Sequence, residues 1–520
     1  MRSVTRRVFA SLVLGAVAVL GTGCGGGASD TTPSLPGTLT PLALEGTVAP
    51  GTGGGTFGAF LAATQISVAD GGWTAFVADV IGGTTPKALF VAAPNGTVSR
   101  VFGVGDAVPA PGSGTINAFT RIFMRPGGIV ATLVEITGAS ARGVLTAAVS
   151  TAGVVSDVAR SVYIGDAMPA TTLANLNPGT LVTIDDDWLD VDDLGRVFFM
   201  GTGSNGLSPM GIWGSTKNGS GREAFAITGD PVNGGGALGF LFHGFATEKG
   251  GGIVAFAADV TGGPALKMLL VRYPNEHRVV AKNGDTPPST SGRSFDDVFD
   301  GGGLVVSFGS GVSTVAWSGS LTGSAPDRVI CFRQISPVVG PNLLTVAACQ
   351  EPWIPADGSL QNGIVSGLSL LMGEPNASRL SFFADVSLGT TTKAMMSWGS
   401  SVDFGAVFGQ GSVAAGGSTF TTAYPSLVAP EPYACDNQGS VAFTASLADA
   451  TTGVFWHIIG TTGQLFPFGV VKGGDPAPGT GGGTFGSFGT QSTVVTATAI
   501  VVFRAAVTGG TAASGLFRQF

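Results

Sequence analysis

Residues 46–60 read Gly-Thr-Val-Ala-Pro-Gly-Thr-Gly-Gly-Gly-Thr-Phe-Gly-Ala-Phe, and residues 474–488 read Gly-Asp-Pro-Ala-Pro-Gly-Thr-Gly-Gly-Gly-Thr-Phe-Gly-Ser-Phe. Twelve of the fifteen positions are identical across an offset of 428 residues. Weaker copies stand at Gly105-Asp106, Gly165-Asp166, Gly229-Asp230 and Gly284-Asp285, with degenerate ones near Glu351 and Gly411. Eight starts over that offset give a period of about 61 residues. A second landmark, in which Phe76, Phe256 and Phe443 follow a glycine and small apolar residues, has diverged forms at Phe199, Phe383 and Phe503. It spans 427 residues from first copy to last. Two independent landmarks keep one step, so the body is a single unit written about eight times.

In the first unit, Thr56 to Ser67, Trp73 to Val80, Lys87 to Ala93 and Thr97 to Val104 read as strands, separated by Ala69-Asp70-Gly71, Gly82-Gly83 and Pro94-Asn95-Gly96. Asn-Gly between apolar runs is a hairpin signal because both residues tolerate the positive φ of a type I′ turn. Ala75 to Val80 is apolar on both faces, so each strand set needs a neighbour on either side. Four short strands per unit with two-sided burial predict an all-β fold: a single β-propeller of about eight four-stranded blades, with seven blades or an open β-repeat array as the alternatives. The final unit stops at Phe520 after a third strand. Leu39 to Gly46 matches the register of Val98 to Gly105 and can supply the missing fourth strand, which would remove two exposed edges at once.

The spacings Asp192-x-x-Gly195-x-x-Phe198-Phe199, Asp436-x-x-Gly439-x-x-Ala442-Phe443 and Asn376-x-x-Arg379-x-x-Phe382-Phe383 resemble the bacterial tandem-repeat surface proteins named for an N-x-x-G-x-x-A-F motif, whose members carry varied surface anchors. The resemblance covers most of residues 40 to 520 and implies repetition and surface display. It implies no activity. Ala69 and Lys249 stand in the Asn position, and Thr132 replaces Phe.

The ends and the composition place the chain. Residues 1–23 carry Arg2, Arg6 and Arg7 ahead of an apolar run from Val8 to Gly21, the layout of an export signal too short to span a bilayer. Thr5-Arg6-Arg7-Val8-Phe9 is similar to a twin-arginine motif. Cys24 follows small residues as in a lipoprotein box, with Gly21 where Leu is usual. Residues 24–37 then form a lipidated cysteine and flexible tether spanning roughly 20 Å, and residues 38–520 the repeat domain. A membrane-anchored lipoprotein of the bacterial cell envelope, facing periplasm or cell surface, is the expected localisation. Loss of the signal moves the formal charge from -8 to -11, which excludes nucleic acid as a leading partner. Only 11% of residues are charged and 44% are hydrophobic, so the 85 glycines belong to turns of a packed fold and not to a disordered chain.

Candidate chemistry is sparse. Asp106, Asp166, Asp230, Asp285 and Asp475 recur once per unit after glycine, as turn-capping residues would; a ring of cation ligands is the other reading. Asp185-Asp186-Asp187-Trp188-Leu189-Asp190-Val191-Asp192-Asp193 places acids at alternating positions, of which Asp185, Asp187, Asp190 and Asp192 could hold Ca²⁺. Leu194 stands where the next ligand would fall and no Glu closes the loop, so a solvated acidic loop is the plainer reading. Apart from this possible calcium, no cofactor is expected. Cys331 and Cys349 flank a hairpin expected to turn at Gly340-Pro341, facing each other in a disulfide worth about 3 kcal/mol. Two packed thiols are the alternative, and Cys435 is left over. His243, His277 and His457 fall in different units without metal-ligand spacing and read as incidental. No Gly-x-Ser-x-Gly, His-Glu-x-x-His or Gly-Lys sequence occurs, and nothing nominates a nucleophile with its base. The expected function is a non-enzymatic scaffold binding a protein or glycan. A secreted hydrolase or lyase with an axial carboxylate site is the alternative, and a structural coat protein a third possibility.

Overall fold

The computed structural model describes residues 37–519, apart from runs 350–363, 410–417, 423–440 and 458–466 and interruptions of five residues or fewer. The signal peptide, Cys24, the tether and Cys435 lie outside the described residues. The described residues form eight antiparallel sheets in chain order, and only one short 3-10 turn, Pro126–Gly128, is helical. Blades 1 to 8 span residues 56–103, 115–163, 181–227, 237–282, 295–349, 364–409, 420–472 and 484–519. The fold is an eight-bladed β-propeller.

The last sheet holds Thr484–Val495, Val501–Thr508 and Ser514–Gln519, and its fourth strand is Leu39–Leu44 from the other end of the chain. Leu39 pairs with Gln519, Thr40 with Arg518 and Leu44 with Gly515. Side chains fasten the splice. Ser514 Oγ donates to Glu45 at 2.6 Å and accepts the Phe60 N–H at 3.0 Å. Arg518, buried in the seam between blades 8 and 1, donates from Nη1 to the carbonyls of Gly72 (2.9 Å) and Ala93 (3.2 Å) and from Nη2 to that of Pro94 (2.9 Å). Burial lowers its pKa to about 10.

Apolar faces on both sides of each sheet fill the seams. Phe76, Phe90 and Leu42 meet Val502 and Leu516 between blades 1 and 8. Leu89 and Val91 meet Val130 and Leu145 between blades 1 and 2, and separate clusters bridge blades 2 to 3, 3 to 4, 4 to 5 and 7 to 8. Blade 5 touches blade 6 through Leu304–Gly309 and Ile364–Asn376. For the seam between blades 6 and 7 the facing side chains lie outside the described residues.

The glycine–aspartate repeats are the crossovers from one blade to the next. In each, the glycine has a left-handed φ, 92° at Gly105 and 94° at Gly165, where L side chains are strained. The aspartate carboxylate accepts the N–H of the residue three before it: Gly103 for Asp106 (2.7 Å), Tyr163 for Asp166 (2.8 Å), Ile227 for Asp230 (2.9 Å), Lys282 for Asp285 (3.1 Å) and Lys472 for Asp475 (2.8 Å). The turn reading accounts for this geometry. The sequence did not show that the carboxylate also bolts blades together. Asp166 holds Arg160 of its own blade at 2.9 Å and Arg222 of the next at 2.6 Å. Asp230 receives Thr171 Oγ1 and, at 3.2 Å, His277 of the next blade.

One expected detail is corrected. The hairpin around residue 340 forms, but Ile335 pairs with Pro341 and Ser336 with Gly340, so it turns about two residues earlier than the cysteine midpoint implies. Cys331 therefore stands across from Val346 and Cys349 across from Val329. The two cysteines are diagonal and not opposed; an irregularity between Ile330 and Cys331 contributes to the offset.

Candidate functional site

The first strands of successive blades touch one another: Ile66–Ala69 meets Thr115–Arg125, which meets Leu181–Val191, which meets Ala237–Thr247. They are the innermost strands and line the axis. Nearly all are bulged midway. Ile184 pairs with Gly201 but Leu189 already with Phe199, so four residues bow out against one. Blade 4 skips between Leu238 and Phe242, blade 8 between Phe488 and Thr493, and blade 1 between Phe57 and Ile66. Bulges re-aim side chains and often border functional sites.

In blades 1 to 3 the residue ending the bulge reaches toward the inner strand of the next blade. Gln65 Nε2 donates to the carbonyls of Phe119 (3.3 Å) and Thr120 (2.9 Å). Arg121, one blade on, donates from Nη1 to those of Asp186 (2.7 Å) and Asp187 (2.6 Å). Trp188, the next equivalent, lies over Gly244, where a Cβ would stand 2.3 Å from its ring. The sequence gives no sign of this relay, because Gln, Arg and Trp share no chemistry that a motif search would connect.

The acidic run is thus the inner strand Leu181–Val191 and its turn, where a solvated loop was expected. Asp185 Oδ1 accepts the Asp187 N–H at 2.9 Å. Asp186 pairs with Arg142 of blade 2 at 2.6 Å, and that arginine also faces Glu135 at 3.8 Å. Asp190 holds Arg125 at 2.9 Å and accepts from Thr247 Oγ1. Asp192, buried, caps the turn through the N–H groups of Leu194 (3.0 Å) and Arg196 (2.8 Å) and pairs with Arg196 Nε at 2.7 Å. This is what the Asn/Asp-x-x-Gly spacing does physically, with Gly195 at φ 79° completing the turn. Of the four proposed calcium ligands, Asp185 is taken up by the Asp187 N–H, Asp190 by Arg125 and Asp192 by Arg196, three different partners along the strand and its turn. Among the described residues no three His, Cys, Asp or Glu side chains are grouped to hold a metal ion.

Two further pairs lie beyond Trp188. His243 Nε2 sits 2.7 Å from Asp259, both part-exposed, and Lys267 crosses from blade 4 to Asp297 of blade 5 at 2.8 Å. Phe240 and Leu241, on the blade 4 bulge, are 49% and 55% exposed, a concentration of apolar surface unusual for an inner strand. His243 is therefore not incidental to the fold. Nor is His277, fully buried against Asp230, whose pKa burial lowers while the Asp230 carboxylate opposes the shift. The side chain of His457 lies outside the described residues. On the neighbouring turns, burial raises the pKa of Asp193 against the pull of Lys249 and Arg125, and raises that of Glu248.

The axial lining of blades 2 to 5 is thus a fixed array of opposite charges beside an apolar shelf. Among solved structures the chain is similar to puromycin hydrolase, at 11% identity and a TM-score of 0.36 over 85% of this chain, and it spans 58% of that one. It is also similar to the β-propeller domain of the Trilobed protease from Pyrococcus furiosus (8% identity, TM-score 0.35, 78% of this chain and 94% of that one). A third likeness is to a polysaccharide lyase, an ulvan lyase (10% identity, TM-score 0.32, 80% and 93%). No curated protein matches the chain. A family model matches residues 18–329, more than half the sequence, and the chain belongs to that family of unknown function, DUF7453.

Proposed function

We propose that this chain is an exported lipoprotein of the cell envelope, tethered through Cys24, whose propeller is a non-enzymatic scaffold binding a protein or glycan at the axial mouth of blades 2 to 5. One observation carries the reading: Arg142 with Asp186, Arg125 with Asp190, and Lys267 with Asp297 are pairs between neighbouring blades. Such pairs fix a polar surface in place before a ligand arrives, and rigid placement favours recognition. The test is binding on glycan and peptide arrays with the full chain against Lys267→Gln and Asp186→Asn. Loss of a saturable signal in both variants supports the site; an unchanged signal places binding elsewhere. Palmitate labelling that disappears in Cys24→Ala tests the anchor.

A hydrolase or lyase is the second reading, favoured by the His243–Asp259 pair. A carboxylate 2.7 Å from an imidazole fixes its orientation as in many general bases. Release of sugars or peptides from a substrate panel by the wild type and not by His243→Gln would establish it.

A further inference from the structure

Blade 3 holds a cavity of about 230 Å³ apart from the axial mouth, and its origin lies in one repeat position. On the third strand of each blade, one side chain points into the seam with the next blade. In blade 8 it is Arg518, paired across from Val502; in blade 2 it is Thr146, across from Ala131, whose Oγ1 donates to the Lys217 carbonyl of blade 3. In blade 3 the equivalent residue is Gly214, across from Phe198. With no side chain there the Phe225 ring settles toward the backbone, and a Cβ on Gly214 would stand 2.7 Å from it.

The remaining space has a defined chemistry. Its floor is Phe198 and Phe225, with ring centroids 5.3 Å apart. Arg196 lines one side, its guanidinium 5.5 Å from the Phe198 centroid and its Nε held 2.7 Å from the buried Asp192. Glu223 also lines the cavity and is exposed; its charge reaches the buried Arg272 of blade 4. A volume of about 230 Å³ is roughly that of seven or eight waters and below the range of drug-sized pockets, so it suits one small metabolite and not a polymer.

We propose that this cavity binds a small zwitterion, an α-amino acid with an aliphatic side chain. Its carboxylate would meet Arg196, its ammonium Glu223, and its side chain the two phenylalanine rings. Arg222 also lines the cavity and is held by Asp166 at 2.6 Å; a lone anion makes no use of Glu223, and a lone cation makes none of Arg196. The inference does not depend on the axial mouth or on the lipid anchor.

Calorimetric titration of the full chain with L-leucine tests it, using isocaproate and isoamylamine as ligands carrying one charge each. L-Leucine should bind at least about tenfold tighter than either, since each charge-assisted hydrogen bond is worth about that factor. Glu223→Gln, on an exposed side chain, should keep the fold by circular dichroism and bring L-leucine down to the level of isocaproate. Gly214→Ala, which pushes the Phe225 ring outward, should weaken all three ligands. No saturable binding of L-leucine at about 10 mM, equal binding of isocaproate, or an unchanged Glu223→Gln affinity would overturn the proposal.

Discussion

Replacing Arg518 by methionine probes the seam between blades 8 and 1, beside the splice that joins the ends of the chain. Methionine keeps the aliphatic length and removes the hydrogen bonds to the carbonyls of Gly72, Ala93 and Pro94 at 2.9, 3.2 and 2.9 Å. Bonds from a charged donor contribute roughly 1.5–3 kcal/mol each. The variant also avoids the desolvation of a buried guanidinium, an effective cost of several kcal/mol, which is the same burial that lowers the Arg518 pKa to about 10. The difference leaves a loss of about 2–4 kcal/mol. A propeller this large need not unfold in one step, so hydrogen exchange of the Leu39–Leu44 amides is a better assay than a melting midpoint. A loss of that size speeds exchange by about 30- to 1,000-fold if the strand opens through this seam. Lysine, a point donor without the planar fork, should fall between the two. Exchange within about threefold of wild type in Arg518→Met would refute the idea that this side chain holds the seam.

Other expectations concern the repeat devices. Asp192→Ala should destabilise blade 3 by about 2–3 kcal/mol through lost caps and the lost ion pair to Arg196, whereas Asp192→Asn, which keeps the cap, should cost about 1 kcal/mol; equal losses by urea titration would count against the turn argument. For His277 the folded pKa lies below the unfolded value, so the unfolded chain takes up the proton first. Stability should fall as pH drops below about 6.5 toward the folded pKa, and the slope in melting temperature should flatten in His277→Gln. Gly244→Ala drives a Cβ into the Trp188 ring and should shift tryptophan fluorescence with a cost of about 1–3 kcal/mol; an unchanged spectrum would place the ring elsewhere. Because Asp185, Asp190 and Asp192 are each taken up by a different group, the melting curve should be the same in calcium and in chelator, and a calcium-dependent rise would show that the acids regroup around the ion.

The blade number, the four-strand unit and the donated strand were legible because they rest on features local in sequence. Gly105-Asp106 and its copies need only a left-handed residue and a carboxylate three residues beyond a free N–H, and the pairing of Leu39 with Gln519 follows from a register that repeats. The register of the two cysteines was read less well, because the midpoint of two positions ignores where a hairpin turns and whether its strands run without irregularity, and both details moved Cys349 opposite Val329. The acidic run was read as a loop because charge density in sequence resembles a solvated surface. Here the acids lie on an inner strand and its turn and face cations from blades 2 and 3, and only the packing of blade 2 against blade 3 brings Arg142 to Asp186. The His243–Asp259 pair spans sixteen residues and two strands, a spacing no local motif marks.

Formation of a disulfide between cysteines placed at Leu39 and Gln519, directly paired residues on neighbouring strands, tests the ring closure most directly, since such partners lie within bridging distance. The account predicts an intramolecular link in the double variant under mild oxidation, absent from each single variant, that carries an N-terminal and a C-terminal peptide together after proteolysis. Intermolecular links alone, or none, would mean that the N-terminal strand does not complete the last blade.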